Sequence, residues 1–276
     1  MINLLSNKEG QIKNNTLEIN LDSQNSENYN LDFKSVPCDN LIINLSNNST
    51  ATILNIVHHS NKHIIFNLRE NSHLTFNIAS FDEENHNQVV VNMDDDSEFK
   101  GAYADFSSGD NEFKFDCHLN GRGARATWHL ASLLKNEDKK SFEISFYHHN
   151  RETYAKMENY GVCEDSSNLS FLGTNKIIKG AHNSATHQSA KIMVFDKKCV
   201  AKASPTLCID ENDVQASHAA VVGKINEDHI FYLTSRGIEE KEAKKLITLG
   251  YLMPILSHFN DQKTIDDIKE NIERRV

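Results

Sequence analysis

Short runs of β-branched and aromatic residues recur along the first half of this chain, and their starts fall mostly 10 to 16 residues apart. The connections between them are rich in Asn, Ser and Asp. The runs are Leu41–Leu45, Thr52–Val57, His63–Leu68, His73–Ile78, Val89–Met93, Glu98–Tyr103, Asn111–Leu119, Ala126–Leu130 and Phe142–Tyr147. Regular short strands with polar turns predict a sandwich, a barrel or a solenoid.

Composition favours the solenoid among these three. Hydrophobic residues make up 38% of the chain and the mean hydropathy is −0.54, which is lean for a thick globular core. Stacked coils have a thin core because each coil contacts only its neighbours. We therefore expect a mainly β solenoid between residues 36 and 222, preceded by a weakly ordered or edge segment over residues 1–35.

Asparagines recur near the ends of the runs, at Asn44, Asn55, Asn67, Asn77 and Asn92. They can stack as ladders between coils or occupy turns that tolerate positive φ. A coding sequence rich in A and T would enrich Asn equally well, so the pattern leaves both interpretations open.

The period changes to a helical one after Gly223, which predicts a C-terminal helical subdomain over residues 223–276. Asn226 is a suitable N-cap for a first helix, and Gly237 is a suitable stop. An apolar stripe then follows within Glu239–Leu256, where Pro254 disfavours continuation of the helix. A third helix is expected to begin at a capping Thr264.

Charge and cysteine usage restrict the partners and the compartment. The net charge is −10 with no basic cluster, so we expect no nucleic acid partner and no anionic membrane partner. Five scattered cysteines predict free thiols, and Met1–Lys13 lacks the pattern of a secretory leader. These features predict a soluble, cytoplasmic protein.

The sequence contains none of the common nucleotide-loop, zinc-protease or serine-hydrolase motifs. The pairs His58-His59 and His148-His149 are expected at the surface or in turns, since neighbours on a strand point to opposite faces. Cys208 is interpreted as a small buried hydrophobe. His218, beside small residues, and Cys199 are the metal-ligand candidates, because imidazole and thiolate both suit iron.

The stretch from Ile209 to Ile225 (IDENDVQASHAAVVGKI), continuing from Ile230 to Ile238 (IFYLTSRGI), resembles the C-terminal signature of the SufB/SufD family. The resemblance covers about residues 165–256 and is closer to the SufD-like form. It implies a right-handed parallel β-helix with terminal helices. It also implies a non-catalytic scaffold subunit of a complex that assembles iron–sulfur clusters.

Residue by residue, the resemblance makes His218 a candidate nitrogen ligand at a subunit interface and places Cys199 where SufB-like members hold a scaffold cysteine. Ala219 stands where SufB-like members carry a carboxylate, and Ala216 where some SufD-like members carry a cysteine. We therefore expect a transient iron–sulfur cluster between subunits and none held stably by this chain alone.

The implied partners are a SufB-type paralogue and a SufC-type ATPase, with a homodimer when the chain is isolated. The helices after Gly223 would dock the ATPase. The expected contact residues are Arg236, Ile230, Phe231, Ala243, Leu246, Ile247, Gly250 and Met253.

Two other classes of function stay open at this point. A carbohydrate-active β-helix enzyme would need paired carboxylates on neighbouring coils. A metal-binding protein would use some of the fourteen histidines.

Overall fold

The computed structural model of the protein describes residues 2–5, 11–32, 35–57, 60–81 and 84–276. Most of this part of the chain is β-strand. The strands are β1 (Ile2–Asn3), β2 (Gln11–Lys13), β3 (Thr16–Leu21), β4 (Glu27–Asp32), β5 (Asn40–Leu45), β6 (Thr50–Val57), β7 (Ser60–Leu68), β8 (His73–Ser80), β9 (Asn85–Met93), β10 (Glu98–Asp105), β11 (Asp110–Leu119), β12 (Arg125–Leu134), β13 (Lys139–His148), β14 (Tyr154–Cys163), β15 (Asn168–Ile177), β16 (Ser184–Val194), β17 (Val200–Ile209) and β18 (Val214–Lys224).

The strands form two sheets that face each other. Sheet A has the order β1-β4-β6-β8-β10-β12-β14-β16-β18, and sheet B has the order β17-β15-β13-β11-β9-β7-β5-β3-β2. From β3 onward, consecutive strands alternate between the sheets, so each coil adds one strand to each sheet. Pairing is parallel throughout the described strands except between β2 and β3. This is a parallel β-solenoid, as predicted.

Side chains that point into the lumen, the space between the two sheets, form the core. On sheet A, Phe76, Gly101 and Trp128 occupy equivalent positions on β8, β10 and β12. Trp128 is fully buried and stacks on Phe115 of sheet B, with 4.4 Å between ring centroids. Gly101 gives the indole its room, since a Cβ there would lie 2.5 Å from Cε3 of Trp128.

Asparagines do stack along the outside of sheet B. The side-chain amide nitrogens of Asn44, Asn67 and Asn92 each donate to the amide oxygen of the preceding coil's asparagine, at 2.8–2.9 Å, and the ladder begins at Asn20. Other asparagines, such as Asn48 and Asn71, occupy turns with φ of 61° and 52°. Asn55 and Asn77 belong to neither group: Asn55 is buried in the lumen and Asn77 donates to the backbone oxygen of His258.

The C-terminal segment consists of α1 (Glu227–Thr234), α2 (Glu240–Leu252), a 3-10 helix (Met253–His258) and α3 (Gln262–Arg275). Asn226 caps α1, as predicted, by accepting from the amide of Asp228. The prediction for α3 was wrong: the helix begins earlier and Asp261 is its N-cap, accepting from both the amide and the hydroxyl of Thr264. No helix in the described part of the chain is both long and apolar enough to cross a lipid bilayer.

The helical segment packs on the outer face of sheet A. Alanines on the strands, including Ala102, Ala104 and Ala131, leave space for Ile255, Phe259 and the apolar side of α3. At the far end, the Arg275 guanidinium bonds the backbone oxygens of Phe106 and Ser107 and pairs with Asp138. The subdomain is therefore anchored at its C-terminal end.

A buried ion pair lies beneath that anchor. Nζ of Lys140 is 2.7 Å from Oδ2 of Asp105, and both side chains are inaccessible to solvent. Burial alone would raise the pKa of the Asp105 carboxyl, but the ammonium and the hydroxyls of Ser107 and Ser132 outweigh it and lower that pKa. The carboxylate also accepts from the hydroxyls of Ser107 and Ser132, and the Lys140 amine donates to the backbone oxygen of Ser107, so both buried groups are hydrogen-bonded, which is the condition for burying such a pair at acceptable cost.

Candidate functional site

The solenoid ends in an open coil made of β17 and β18. Each is the last strand of its sheet, so each has one edge without a strand neighbour among the described residues. The burial pattern changes accordingly, because inward-facing residues elsewhere are covered by the next coil and here they are not. Val222, in register with the buried Ile192 of β16, is 45% exposed, and Val200 and Val221 on the outer faces are 57% and 56% exposed. Unpaired strand edges with exposed apolar side chains are a template for pairing with another chain.

His218 lies at the mouth of the lumen. It pairs in register with Gln188, which pairs with Met157 and, one coil further, with Trp128. Because residues in register face the same side, the imidazole of His218 is the last member of this inward-facing row. It is exposed only because no further coil covers it.

Small residues surround His218 on the same inward face of the open coil. Ala216 and Ala220 flank it on β18, and Ala203 and Pro205 occupy inward positions on β17. Beneath it, Nε2 of Gln188 donates across the lumen to the backbone oxygen of Thr206 at 3.0 Å. The mouth is thus a shallow apolar surface with one imidazole.

Cys199 lies at a different point of the same end. It occupies the corner before β17, where its Sγ is 3.6 Å from the backbone oxygen of Asp165. Val194 and Lys224 are paired at this corner, and His218 is six residues back along β18. At roughly 3.3 Å per residue the two candidates are about 20 Å apart, so the fold does not unite them in one site.

The exposure of one other cysteine and one other histidine differs from the prediction. Cys208 is exposed on the outer face of sheet B, so its interpretation as a buried residue was wrong. His148 was expected at the surface, but it fills the last inward position of β13 and is fully buried. His149 follows that strand and faces His118, with 3.2 Å between ring nitrogens. The pair His58-His59 lies outside the described residues.

No group of three or more His, Cys, Asp or Glu side chains arranged to hold a metal ion occurs in the described ranges. His218 therefore belongs to no such group among the described residues.

Helices α1 and α2 carry a second exposed apolar surface. Phe231, Tyr232 and Leu246 are 73%, 54% and 43% exposed, and the Arg236 guanidinium lies 4.5 Å above the Tyr232 ring. Gly250 is exposed, and Ile230, Ile247 and Met253 are partly buried. Tyr232 was not among the predicted contacts, although it adjoins Phe231 in the sequence.

Ala243 does not belong to that surface. Its side chain is fully buried, because it lies on the side of α2 that packs on the protein's own subdomain. The apolar stripe predicted from the sequence therefore combines residues on the buried side of α2 with residues on its exposed side. Of the stripe, Leu246 and Gly250 are exposed.

The described residues form a parallel β-solenoid with an open coil at β17 and β18 and an appended helical segment, which defines a β-solenoid protein. Comparison with known proteins places this chain within a family: the profile of "SUF system FeS cluster assembly, SufBD core domain" matches residues 16–251. The chain belongs to that family.

Among its relatives, the iron–sulfur cluster assembly protein SufD of Bacillus subtilis is 29% identical over 181 residues, which are 66% of this chain and 41% of that protein. A SufBD family protein of Mycobacterium bovis is 31% identical over 103 residues, or 37% and 12%. SufB of Bacillus subtilis is 24% identical over 138 residues, or 50% and 30%. The chain spans less than half the length of each.

Proposed function

We propose that this chain is a SufD-like scaffold subunit that supports iron–sulfur cluster assembly, pairing through its open coil with a SufB-type paralogue and docking a SufC-type ATPase on α1 and α2. The observation that carries the proposal is the pair of unpartnered edges at β17 and β18. A solenoid that needed no partner would have its last coil capped by a polar segment. Here the terminal coil is apolar and uncovered.

His218 supplies the cluster contact from this side. Iron–sulfur clusters are bound mainly by thiolates, and imidazole can replace thiolate at individual irons. The cluster is cargo, held between subunits and passed on, with the thiolates coming from the paralogue. Cys199, about 20 Å along the strand direction, is too far to share a cluster with His218, and its role would be separate. In isolation the same open coil would pair with a second copy of the chain.

Two alternatives from the sequence receive less support. The metal-binding hypothesis rested on the number of histidines, yet the described residues bring no three potential ligands together. The carbohydrate-active enzyme rested on the β-helix alone. Neither explains the uncovered coil or the exposed aromatic residues of α1.

The test is co-expression with a SufB-type paralogue and a SufC-type ATPase, followed by anaerobic purification and quantification of iron and sulfide. We expect a stable complex from the wild type. His218→Ala should keep the complex and lower its cluster content, whereas His86→Ala, on the outer face of sheet B, should change neither. Failure of the wild-type chain to associate with either protein would overturn the proposal.

The docking surface is tested in the same preparation. Phe231→Asp places a charge on the exposed apolar surface of α1 and should release the ATPase while the paralogue stays bound. Ile12→Asp is the matched control, since Ile12 is similarly exposed at 58% but lies at the other end of the chain. Equal loss of ATPase in both variants would contradict the assignment of α1.

A further inference from the structure

A groove runs along the junction between sheet A and the helical segment, apart from the open coil and the α1 surface. It consists of two adjoining cavities of about 260 and 370 Å³. Both are lined by His129 of β12 and by Ser257 and His258 of the 3-10 helix. We call this the junction groove. Clefts between packed substructures are common sites for small ligands.

One arm of the junction groove is apolar and aromatic. Leu252, Pro254 and Ile255 line it together with Tyr160 and Tyr251, whose rings meet edge to face at 5.5 Å between centroids. Next to them, the rings of His129 and His258 stack at 3.9 Å with 21° between their planes. These walls suit a flat ring, since aromatic rings pack favourably face to face with an offset or edge to face.

The other arm is bordered by a row of hydrogen-bond donors on four neighbouring strands. Thr75, Lys100, Thr127 and Lys156 are in register on β8, β10, β12 and β14, so hydroxyl and ammonium groups alternate across the outer face of sheet A. The first three line the cavity. Lys156 lies near enough to the stacked rings for its charge to lower the pKa of His129 and His258, behind the larger effect of burial.

The lysines beside the groove take part in ion pairs but keep further donors. Lys100 pairs with Glu98 at 3.0 Å, and Lys156 pairs with Glu158 at 2.8 Å. Of these four groups, Lys100 lines the polar arm and Glu158 lines the apolar arm. Each ammonium has three N–H donors, so one ion pair leaves donors for an added anion.

A carboxylate lies beside the histidine stack, since Nδ1 of His129 is 3.3 Å from Oε2 of Glu158. Apolar walls in one arm and a row of donors in the other together define a ligand chemistry.

We propose that the junction groove binds a small planar aromatic anion, with its ring against Tyr160, Tyr251 and the histidine stack and its acidic group on the Lys100–Thr127–Lys156 row. Such a ligand would contact both sheet A and the 3-10 helix and so strengthen the attachment of the helical segment. The site is separate from the open coil and stands independently of the proposed scaffold function.

The probe is 8-anilinonaphthalene-1-sulfonate, a planar aromatic sulfonate whose fluorescence rises on binding. We expect one saturable site in the full chain. Lys100→Gln and Lys156→Gln should each weaken binding about fivefold, and Tyr160→Ser should weaken it further. Lys114→Gln is the charge control, since Lys114 is a half-exposed lysine on sheet B. Phe231→Ser is the apolar control on α1.

Unchanged affinity in the Lys100, Lys156 and Tyr160 variants would overturn the proposal. So would loss of the saturable signal in Phe231→Ser, which would place the probe on the exposed helix instead. Because Lys100 and Lys156 are surface residues, their variants are expected to fold, and circular dichroism verifies it. Raising the salt concentration should also weaken binding to the wild type, as expected for an anion held by exposed ammonium groups.

Discussion

At the residue scale, the lumen is packed so closely that a single methyl group decides the outcome. The Trp128 indole fills the space beside Gly101, and a Cβ added to Gly101 would lie 2.5 Å from the indole ring. Gly101→Ala should lower the free energy of unfolding by about 1–3 kcal/mol, since an overpacked core must shift side chains. Gly250→Ala is the control, because no other atom lies within 4 Å of the position that the added Cβ would take. There, in helix α2, alanine should stabilise by up to about 1 kcal/mol. Urea denaturation measures both, and equal effects would contradict the packing argument.

A second residue-scale prediction concerns acid stability. Burial lowers the pKa of His148 from 6.5 to about 4, and the ring sits in the core with Nδ1 2.7 Å from the Thr153 hydroxyl. Between pH 6.5 and about pH 4, His148 is protonated in the unfolded chain but stays neutral in the folded chain. Stability is therefore complete above pH 6.5 and falls between pH 6.5 and 4, by up to about 3 kcal/mol from this group.

Denaturation midpoints measured at pH 7.5, 5.5 and 4.5 give the slope of stability against pH. His148→Gln should flatten it, although the variant loses some stability at every pH. His229→Gln, at an exposed position of α1, should leave the slope unchanged. A slope that His148→Gln does not alter would assign the acid sensitivity to other groups.

At the element scale, α3 is held by one arginine in addition to its buried apolar edge. The Arg275 guanidinium bonds two backbone oxygens and Asp138, whose side chain is 6% exposed. Arg275→Ala leaves that carboxylate buried without its guanidinium partner, with only two backbone amides still donating to it, and should cost about 2–4 kcal/mol. Amide exchange in Gln262–Arg275 should quicken at the same time. Arg274→Ala, at the exposed neighbouring position, should change stability by less than about 0.5 kcal/mol.

Elements also show where sequence reasoning reaches its limit. The nine strands from β5 to β13 and the start of α1 could be predicted, because alternation, asparagine turns and the Asn226 cap are local signals. The Lys140–Asp105 pair and the contact between His129 and His258 could not, because their partners are 35 and 129 positions apart and no local pattern marks them. Ala243 was misassigned for a related reason: a stripe tells which side of α2 is apolar but not what covers it.

At the scale of the whole molecule, position in the stack decides exposure. Ala220 and Val222 are in register with the buried Ala190 and Ile192 of the preceding coil, yet they are exposed here because β18 is last. His218 follows the same rule, since an identical residue one coil earlier would occupy the place of Gln188 in the lumen. The sequence identified His218 through a resemblance, whereas only the fold shows why it is accessible.

The open coil is proposed as the surface that meets the paralogue. Hydrogen exchange followed by mass spectrometry tests it directly on the full chain, alone and mixed with a SufB-type paralogue. Amides of Val200–Ile209 and Val214–Lys224 should become strongly protected in the mixture, while those of an interior strand such as Asp110–Leu119 should stay unchanged. Stable association with no added protection in β17 and β18 would contradict it.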